Sequence, residues 1–169
     1  MRLENKTAIV TGAASGLGKA IVEKFLEEGS RVIIVDINED AARELSENLG
    51  TKTLAVKADV GDTNSVENLK KCVFDSFERV DIVVNNAGVT HLPTPLDEVT
   101  EEDFDRVFRI NCKSVYLMAK AFVPEMKNQC SGSILNIAST AGVSPRPNLN
   151  WYNSSKGWMN TATKTMAVE

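Results

Sequence analysis

The sequence predicts an α/β fold, a doubly wound parallel sheet with helices on both faces, and three observations carry that reading. Short β-branched runs alternate along the chain with helical patterns. Four of the five runs show little polar alternation, as strands do when both of their faces are covered. The helical stretches between them supply the crossovers that parallel neighbours require. At 169 residues the chain suits one domain spanning residues 1–169, and its 43% hydrophobic and 25% charged content excludes the disordered, collagenous and membrane classes.

Taken in order, the candidate strands are residues 7–10, 31–36, 53–58, 80–84 and 133–138. The first helix should begin near Ser15, carry Leu17, Ile21 and Phe25 on one face, and stop at Gly29, where a left-handed cap costs glycine little. A second helix over 39–49 ends in the same way at Gly50, and a third runs from about Thr63 to Phe77. A fourth spans about 100–126, with a kink near Pro124.

Charge excludes several partners. The net charge of −4 comes from acids and bases scattered along the chain, so neither a basic tract for nucleic acid nor an acidic tail is present. Cys72, Cys112 and Cys130 are too few and too far apart for a disulfide framework, and no histidine or carboxylate cluster surrounds them, so a metal site is not expected. The first residues lack the apolar core of a signal peptide, and no run approaches a membrane span. A cytoplasmic location is the resulting expectation.

The first chemical feature is Thr11-Gly12-Ala13-Ala14-Ser15-Gly16-Leu17-Gly18, a glycine-rich turn between the first strand and the first helix. Glycine permits positive φ and close backbone approach to a pyrophosphate, and the free N–H groups and dipole of a helix start stabilise its charge. A tight strand-to-helix turn is the bland alternative. Against it, the second strand ends in Asp36, at about the 20-residue separation that dinucleotide binding uses. Asp36 would accept hydrogen bonds from the adenosine ribose and repel a 2′-phosphate, which favours NAD over NADP.

The glycines follow G-x-x-x-G-x-G spacing, and further marks come in order: Asp59-Val60, Asn85-Asn86-Ala87-Gly88, Asn111, Ser139 and Tyr152-Asn153-Ser154-Ser155-Lys156. In these features the chain resembles the short-chain dehydrogenase/reductase family, whose fold is Rossmann-like. The resemblance implies an oxidoreductase acting on CH–OH groups, with NAD at Gly12, Ser15, Gly16, Leu17, Gly18, Asp36, Ile37, Asp59, Val60, Asn86, Ala87, Gly88, Tyr152 and Lys156. Asp59 would bond the adenine amino group, with Val60 beside it. Asn86, Ala87 and Gly88 would pack below the cofactor. NADP-preferring relatives usually carry a basic residue at the positions of Ser15 or Ile37, and neither is basic here.

Tyr152 and Lys156 stand four apart and therefore share one face of a helix. A phenol ordinarily titrates near pH 10, and a nearby ammonium lowers that value toward the range useful for proton transfer. The resemblance makes Tyr152 the acid/base, Ser139 the group that orients the substrate oxygen, Lys156 a ligand of the nicotinamide ribose, and Asn111 the holder of a relay water. His91, the sole histidine, lies between turn-forming residues and is expected to be a loop residue rather than the base.

The resemblance implies a small carbonyl or alcohol substrate, since the family serves secondary alcohols, sugars, steroids and 3-oxoacyl thioesters, and the residues do not name which. Loops 89–96 and 140–151 would form its walls, with Arg146 a candidate for an anionic group. The resemblance further implies a homodimer or homotetramer through Tyr116, Leu117 and Phe122. It also implies a pattern continuing beyond Glu169, with further strands and a substrate lid, so that the domain would be C-terminally incomplete and the sheet end after the fifth strand. Two alternatives compete: an incomplete dinucleotide-binding module without catalysis, for which the intact Asn111, Ser139, Tyr152 and Lys156 have no use, and a nucleotide-sugar epimerase or dehydratase, which the glycine spacing disfavours.

Overall fold

The computed structural model describes residues 1–169. Five strands, β1 (Thr7–Thr11), β2 (Arg31–Asp36), β3 (Thr53–Lys57), β4 (Ile82–Asn85) and β5 (Ser133–Asn136), form one sheet in the order β3-β2-β1-β4-β5, with every pairing parallel. Helices α1 (Gly16–Glu27), α2 (Glu39–Leu49), α3 (Thr63–Ser76), α4 (Glu101–Phe108), α5 (Ser114–Asn128) and α6 (Asn150–Met166) connect or follow them. The expected doubly wound α/β architecture is present. The strand order reverses between β1 and β4, where open sheets of this kind bind ligands at their carboxyl ends.

Alternation along each strand explains why helices cover both faces. Ile9, Ile33, Val35 and Val83 point to one side, where Leu69 and Val73 of α3 and Met118 and Phe122 of α5 enclose them. Their neighbours Val10, Val32, Ile34 and Val84 point to the other, against Val22 of α1 and Ala42 and Leu45 of α2. Each fully buried Val, Leu, Ile, Phe or Met among them stabilises the fold by about 1.5–3 kcal/mol relative to exposure. Strand bounds differ from the expected ones by a residue or two at the ends, where register with the neighbouring strand decides pairing.

Local chemistry starts the helices. Asn38, Asp62 and Thr100 accept the N–H groups of Ala41, Ser65 and Asp103, capping α2, α3 and α4. The first helix starts after Ser15 and stops before Gly29, as expected, but its buried face is Gly18 and Val22. Ile21 and Phe25 pack at the margin of that face, whereas Leu17 is 58% exposed. Hydrophobic spacing alone did not reveal that the first turn points toward the glycine loop rather than the core.

The expected helix over 100–126 is three segments. Between α4 and α5 lies a π-helical turn, Arg109–Lys113, and the irregularity therefore centres on Asn111 instead of Pro124. Pro124 sits inside α5, which continues to Asn128. Leu117 and Phe122 are buried in the core and offer no outer contact surface; Tyr116 and Trp158 are the exposed aromatics on α5 and α6. No helix is long and apolar enough to cross a membrane.

Candidate active site

Two glycines of the turn, Gly12 and Gly18, sit where contacts leave no room for a side chain. At Gly18 a Cβ would stand 2.1 Å from the Gly12 carbonyl oxygen, and at Gly12, with φ +60°, it would stand 2.9 Å from Ala87 Cα. Asn86 fastens this turn: its Nδ2 donates to Thr11 O at 2.9 Å and to Gly12 O at 3.0 Å. Thr11 Oγ1 in return accepts the N–H groups of Asn86 and Ala87. The β4 loop thus holds the β1 loop open and rigid. Ser15 precedes α1 in extended conformation and makes no side-chain cap, in contrast to the caps of the next three helices.

Asp36 closes the other side of the turn. Its Oδ2 accepts from Ala14 N at 2.9 Å and its Oδ1 from Asn38 N at 3.0 Å, so the carboxylate is fixed at the end of β2 with Ile37 exposed beside it. Asp59 follows β3 and accepts from Gly61 N and from Arg109 NH1. Desolvation is the largest influence on its carboxyl and pushes the pKa up, but the Arg109 and Gly61 hydrogen bonds and the nearby charge together hold it below the ordinary value. Val60 beside it is buried.

The second half of the site gathers around α6. Lys156 Nζ donates to Ile137 O at 2.9 Å and lies 6.0 Å from the centroid of the Tyr152 ring, confirming that the two residues share one helical face. Burial holds the Lys156 ammonium below the ordinary lysine value, and only an ionised Cys112 would oppose it. Cys112 itself is pushed up to about 11 by burial, opposed by the Lys156 charge, so it remains a thiol at neutral pH. Ser139 precedes a short 3-10 turn, Thr140–Gly142, and its Oγ accepts from Ala141 N. That turn presses on α6: a Cβ at Gly142 would stand 2.7 Å from Lys156 C.

Asn111 connects the two halves. Its Oδ1 accepts from Val89 N at 2.8 Å, and its Nδ2 donates to Val89 O and to Ser155 Oγ, both at 2.9 Å. The loop beyond Gly88 is thereby tied to the helix bearing Tyr152 and Lys156. The walls expected from loops 89–96 and 140–151 also meet, through Thr94 N donating to Asn148 O at 2.9 Å. Asn153 Nδ2 donates to Arg146 O, and Trp151 packs edge-on against Phe104. Arg146 is exposed, and His91 is a buried loop residue whose Nδ1 pairs with Leu92 O.

The structure therefore brings Gly12, Gly18, Asn86, Ala87 and Asp36 around one turn, and Gly88, Asn111 and Lys156 against one another, with Tyr152 on the helical face of Lys156 and Ser139 at the head of the 3-10 turn that packs on α6. Sequence reasoning missed Arg109 as the partner of Asp59 across 50 residues, since nothing local in the sequence joins them. It also missed Thr11, whose hydroxyl is visible only as the first letter of the glycine motif.

A family model described as short chain dehydrogenase matches residues 6–169. The chain is 40% identical, over its full length, to 68% of a 4-formylbenzenesulfonate dehydrogenase of Comamonas testosteroni. It is 38% identical, again over its full length, to 70% of a 3-oxoacyl-(acyl-carrier-protein) reductase of Thermotoga maritima. Among solved structures, a 3-ketoacyl-(acyl-carrier-protein) reductase from Brucella melitensis complexed with NADH superposes with a TM-score of 0.95 at 39% identity, covering 98% of this chain and 70% of that one. The chain spans between 62% and 73% of the length of the curated relatives it matches.

Proposed function

The chain belongs to the short-chain dehydrogenase family, and from that premise we propose that residues 1–169 form one nucleotide-binding unit that carries out hydride exchange between NAD(H) and a ketone or secondary alcohol. The observation that carries this reading is the Tyr152–Lys156 pair on one face of α6, with Lys156 Nζ bonded to Ile137 O just after β5 at the carboxyl end of the sheet. A pure nucleotide binder has no need of such a pair.

The residues present fit a dinucleotide. Gly12 and Gly18 close the turn against the protein's own backbone, whereas Gly16, with φ +52° and nothing within 4 Å of where its Cβ would stand, leaves the backbone open to a pyrophosphate. Asp36 suits a free ribose diol: a fixed carboxylate accepts from hydroxyls and repels a phosphate. Asp59 and Val60 would hold the adenine, Ser15, Gly16 and Leu17 the pyrophosphate side, and Lys156 the nicotinamide ribose. Bound there, NAD(H) supplies or removes the hydride. The NADH complex of the Brucella relative supports NAD as the cofactor.

Tyr152 then handles the proton. In the reducing direction its hydroxyl donates to the developing alkoxide, and in the oxidising direction its phenolate accepts the alcohol proton. The Lys156 ammonium, held by Ile137 O, is the positive charge on the same helical face as that phenol. Ser139 Oγ already accepts from Ala141 N, so its own O–H is the donor left for the same substrate oxygen. Asn111 keeps the 88–89 loop and Ser155 in register with this pair. The 3-oxoacyl reductase name of the Thermotoga relative makes a 3-oxoacyl thioester the first carbonyl to try.

The test is NADH consumption and NAD reduction across a panel of ketones, 3-oxoacyl thioesters, sugars and secondary alcohols. Turnover of at least one class with NAD(H) supports the reading; NAD binding without turnover of any class leaves a nucleotide-binding module and overturns it.

A further inference from the structure

Asp59 leaves β3 at the carboxyl end of the sheet, and its carboxylate is not free to turn. Oδ1 accepts from Gly61 N at 2.9 Å, Oδ2 accepts from Arg109 NH1 at 2.7 Å, and the Asp59 N–H donates to Ser65 Oγ at 2.9 Å. Arg109 reaches this point from the first position of the π-helical turn. It does so by crossing directly over Gly61, where a Cβ would stand 2.8 Å from Arg109 NH1 and 2.9 Å from its Cγ. The approach thus depends on a position without a side chain. The Asp59 side chain nevertheless remains 29% exposed and that of Arg109 41%, so one edge of the pair faces solvent.

An ionised carboxylate offers about four acceptor positions, and the two used here leave one on each oxygen. Held by Gly61 alone, the group could rotate about its Cβ–Cγ bond and spread those positions over many directions. Held at both oxygens, it presents them in one plane. Pairing with the guanidinium also offsets most of the carboxylate charge, which suits a neutral donor better than a cation or an anion.

We propose that Arg109 is a positioning residue of the nucleotide site: by holding Oδ2 of Asp59 it aims the remaining acceptor position at an exocyclic amino group, so that the site selects a 6-aminopurine over a 6-oxopurine. The proposal rests on the NAD reading above and adds to it a residue outside the family motifs. An amino group donates to the fixed carboxylate. A 6-oxo group sets acceptor against acceptor and loses the interaction. Lysine at 109 could replace the charge but, with a freely rotating ammonium on a different reach, not the fixed direction of the single Arg109 NH1 donor on Oδ2.

The experiment titrates the chain with NAD and with nicotinamide hypoxanthine dinucleotide, which differs in carrying 6-oxo for 6-amino, in wild type, Arg109→Met and Arg109→Lys, with thermal unfolding recorded for each. Wild type should bind NAD about tenfold more tightly than the hypoxanthine analogue, the gain expected of one well-placed hydrogen bond to a charged group. Arg109→Met should lose about that factor for NAD while the analogue changes by less than about twofold, and Arg109→Lys should fall between. Equal weakening of both ligands would make Arg109 a support of the fold alone and overturn the proposal, as would an Arg109→Met variant that discriminates like wild type. Wild type that binds NAD and the analogue equally overturns this proposal and leaves the NAD reading standing. Wild type that binds neither overturns both.

Discussion

Gly88 and Lys156 lie so close that a Cβ on Gly88 would stand 3.3 Å from Lys156 Nζ and 3.4 Å from Asn111 Oδ1. The loop after β4 thereby forms a wall against the lysine that shares a helical face with Tyr152. A branched side chain at 88 has to displace the ammonium or the Asn111 amide. Gly88→Val should lower turnover by about 10- to 100-fold, the scale of a small misplacement of a catalytic group, and should also lower the unfolding temperature, because the groups it displaces, Lys156 and Asn111, are buried and hydrogen-bonded. Steady-state kinetics beside a thermal melt checks it, and unchanged turnover would show that the wall is not needed.

Gly18 tolerates less. The Cβ of Gly18→Ala would meet the Gly12 carbonyl at 2.1 Å, a backbone atom that cannot swing away. The variant should be destabilised by about 1–3 kcal/mol, as overpacked sites are, and should lose measurable NAD binding by calorimetry. Normal affinity would mean that the turn is not the pyrophosphate site.

Asp36 is held by two backbone N–H groups of the loops it faces. Removing its charge should weaken discrimination against a phosphorylated ribose. In Asp36→Asn the ratio of NAD to NADP affinity should fall by about tenfold or more, since like charges brought together cost several kcal/mol. A preference that survives the change would assign cofactor choice to another residue.

Asp81 supplies the clearest pH effect on stability. It is buried at the start of β4 and accepts from Thr7 N at 3.0 Å, Lys6 Nζ at 3.3 Å and Arg79 NH2 at 2.6 Å. Desolvation is the largest influence and raises its pKa, but these donors together hold it below the ordinary carboxylate value. A folded-state pKa below the unfolded one, about 3.9, contributes stability above that pH and loses it as pH falls through the folded value. Asp81→Asn should therefore be less stable than wild type by about 1–3 kcal/mol at pH 7, with the gap narrowing below about pH 4. Denaturant melts at several pH values measure it; a gap independent of pH would remove the ionised carboxylate from the explanation.

Much of this molecule could be read from its residues. The β-branched runs around Ile9, Ile33 and Val83 revealed a sheet covered on both faces because their hydrophobicity does not alternate. The glycine turn, Asp36 and the Tyr152–Lys156 spacing are local patterns, and local patterns survive in a linear text. Three things did not. Leu17 sits at a hydrophobic-periodic position yet points outward, because the first turn of α1 is set by the glycine loop. The irregularity in the long helix falls at Asn111, whose side chain is drawn to Val89 and Ser155, while Pro124 lies inside a continuous helix. The Arg109–Asp59 pair joins residues 50 apart, and only the packing of the π-helical turn against Gly61 brings them together.

The central claim is that Tyr152 moves the proton, and one comparison addresses it most directly: turnover and NAD affinity of Tyr152→Phe beside wild type, in the protein that carries this chain and with the substrate class found by the panel assay. The phenol shares its helical face with Lys156, so removing its oxygen leaves the packing of α6 almost unchanged. Turnover should fall by about 10²-fold or more, as expected for loss of a positioned acid/base, while NAD affinity stays within about twofold. Near-normal turnover in that variant would contradict the account and place the acid/base elsewhere.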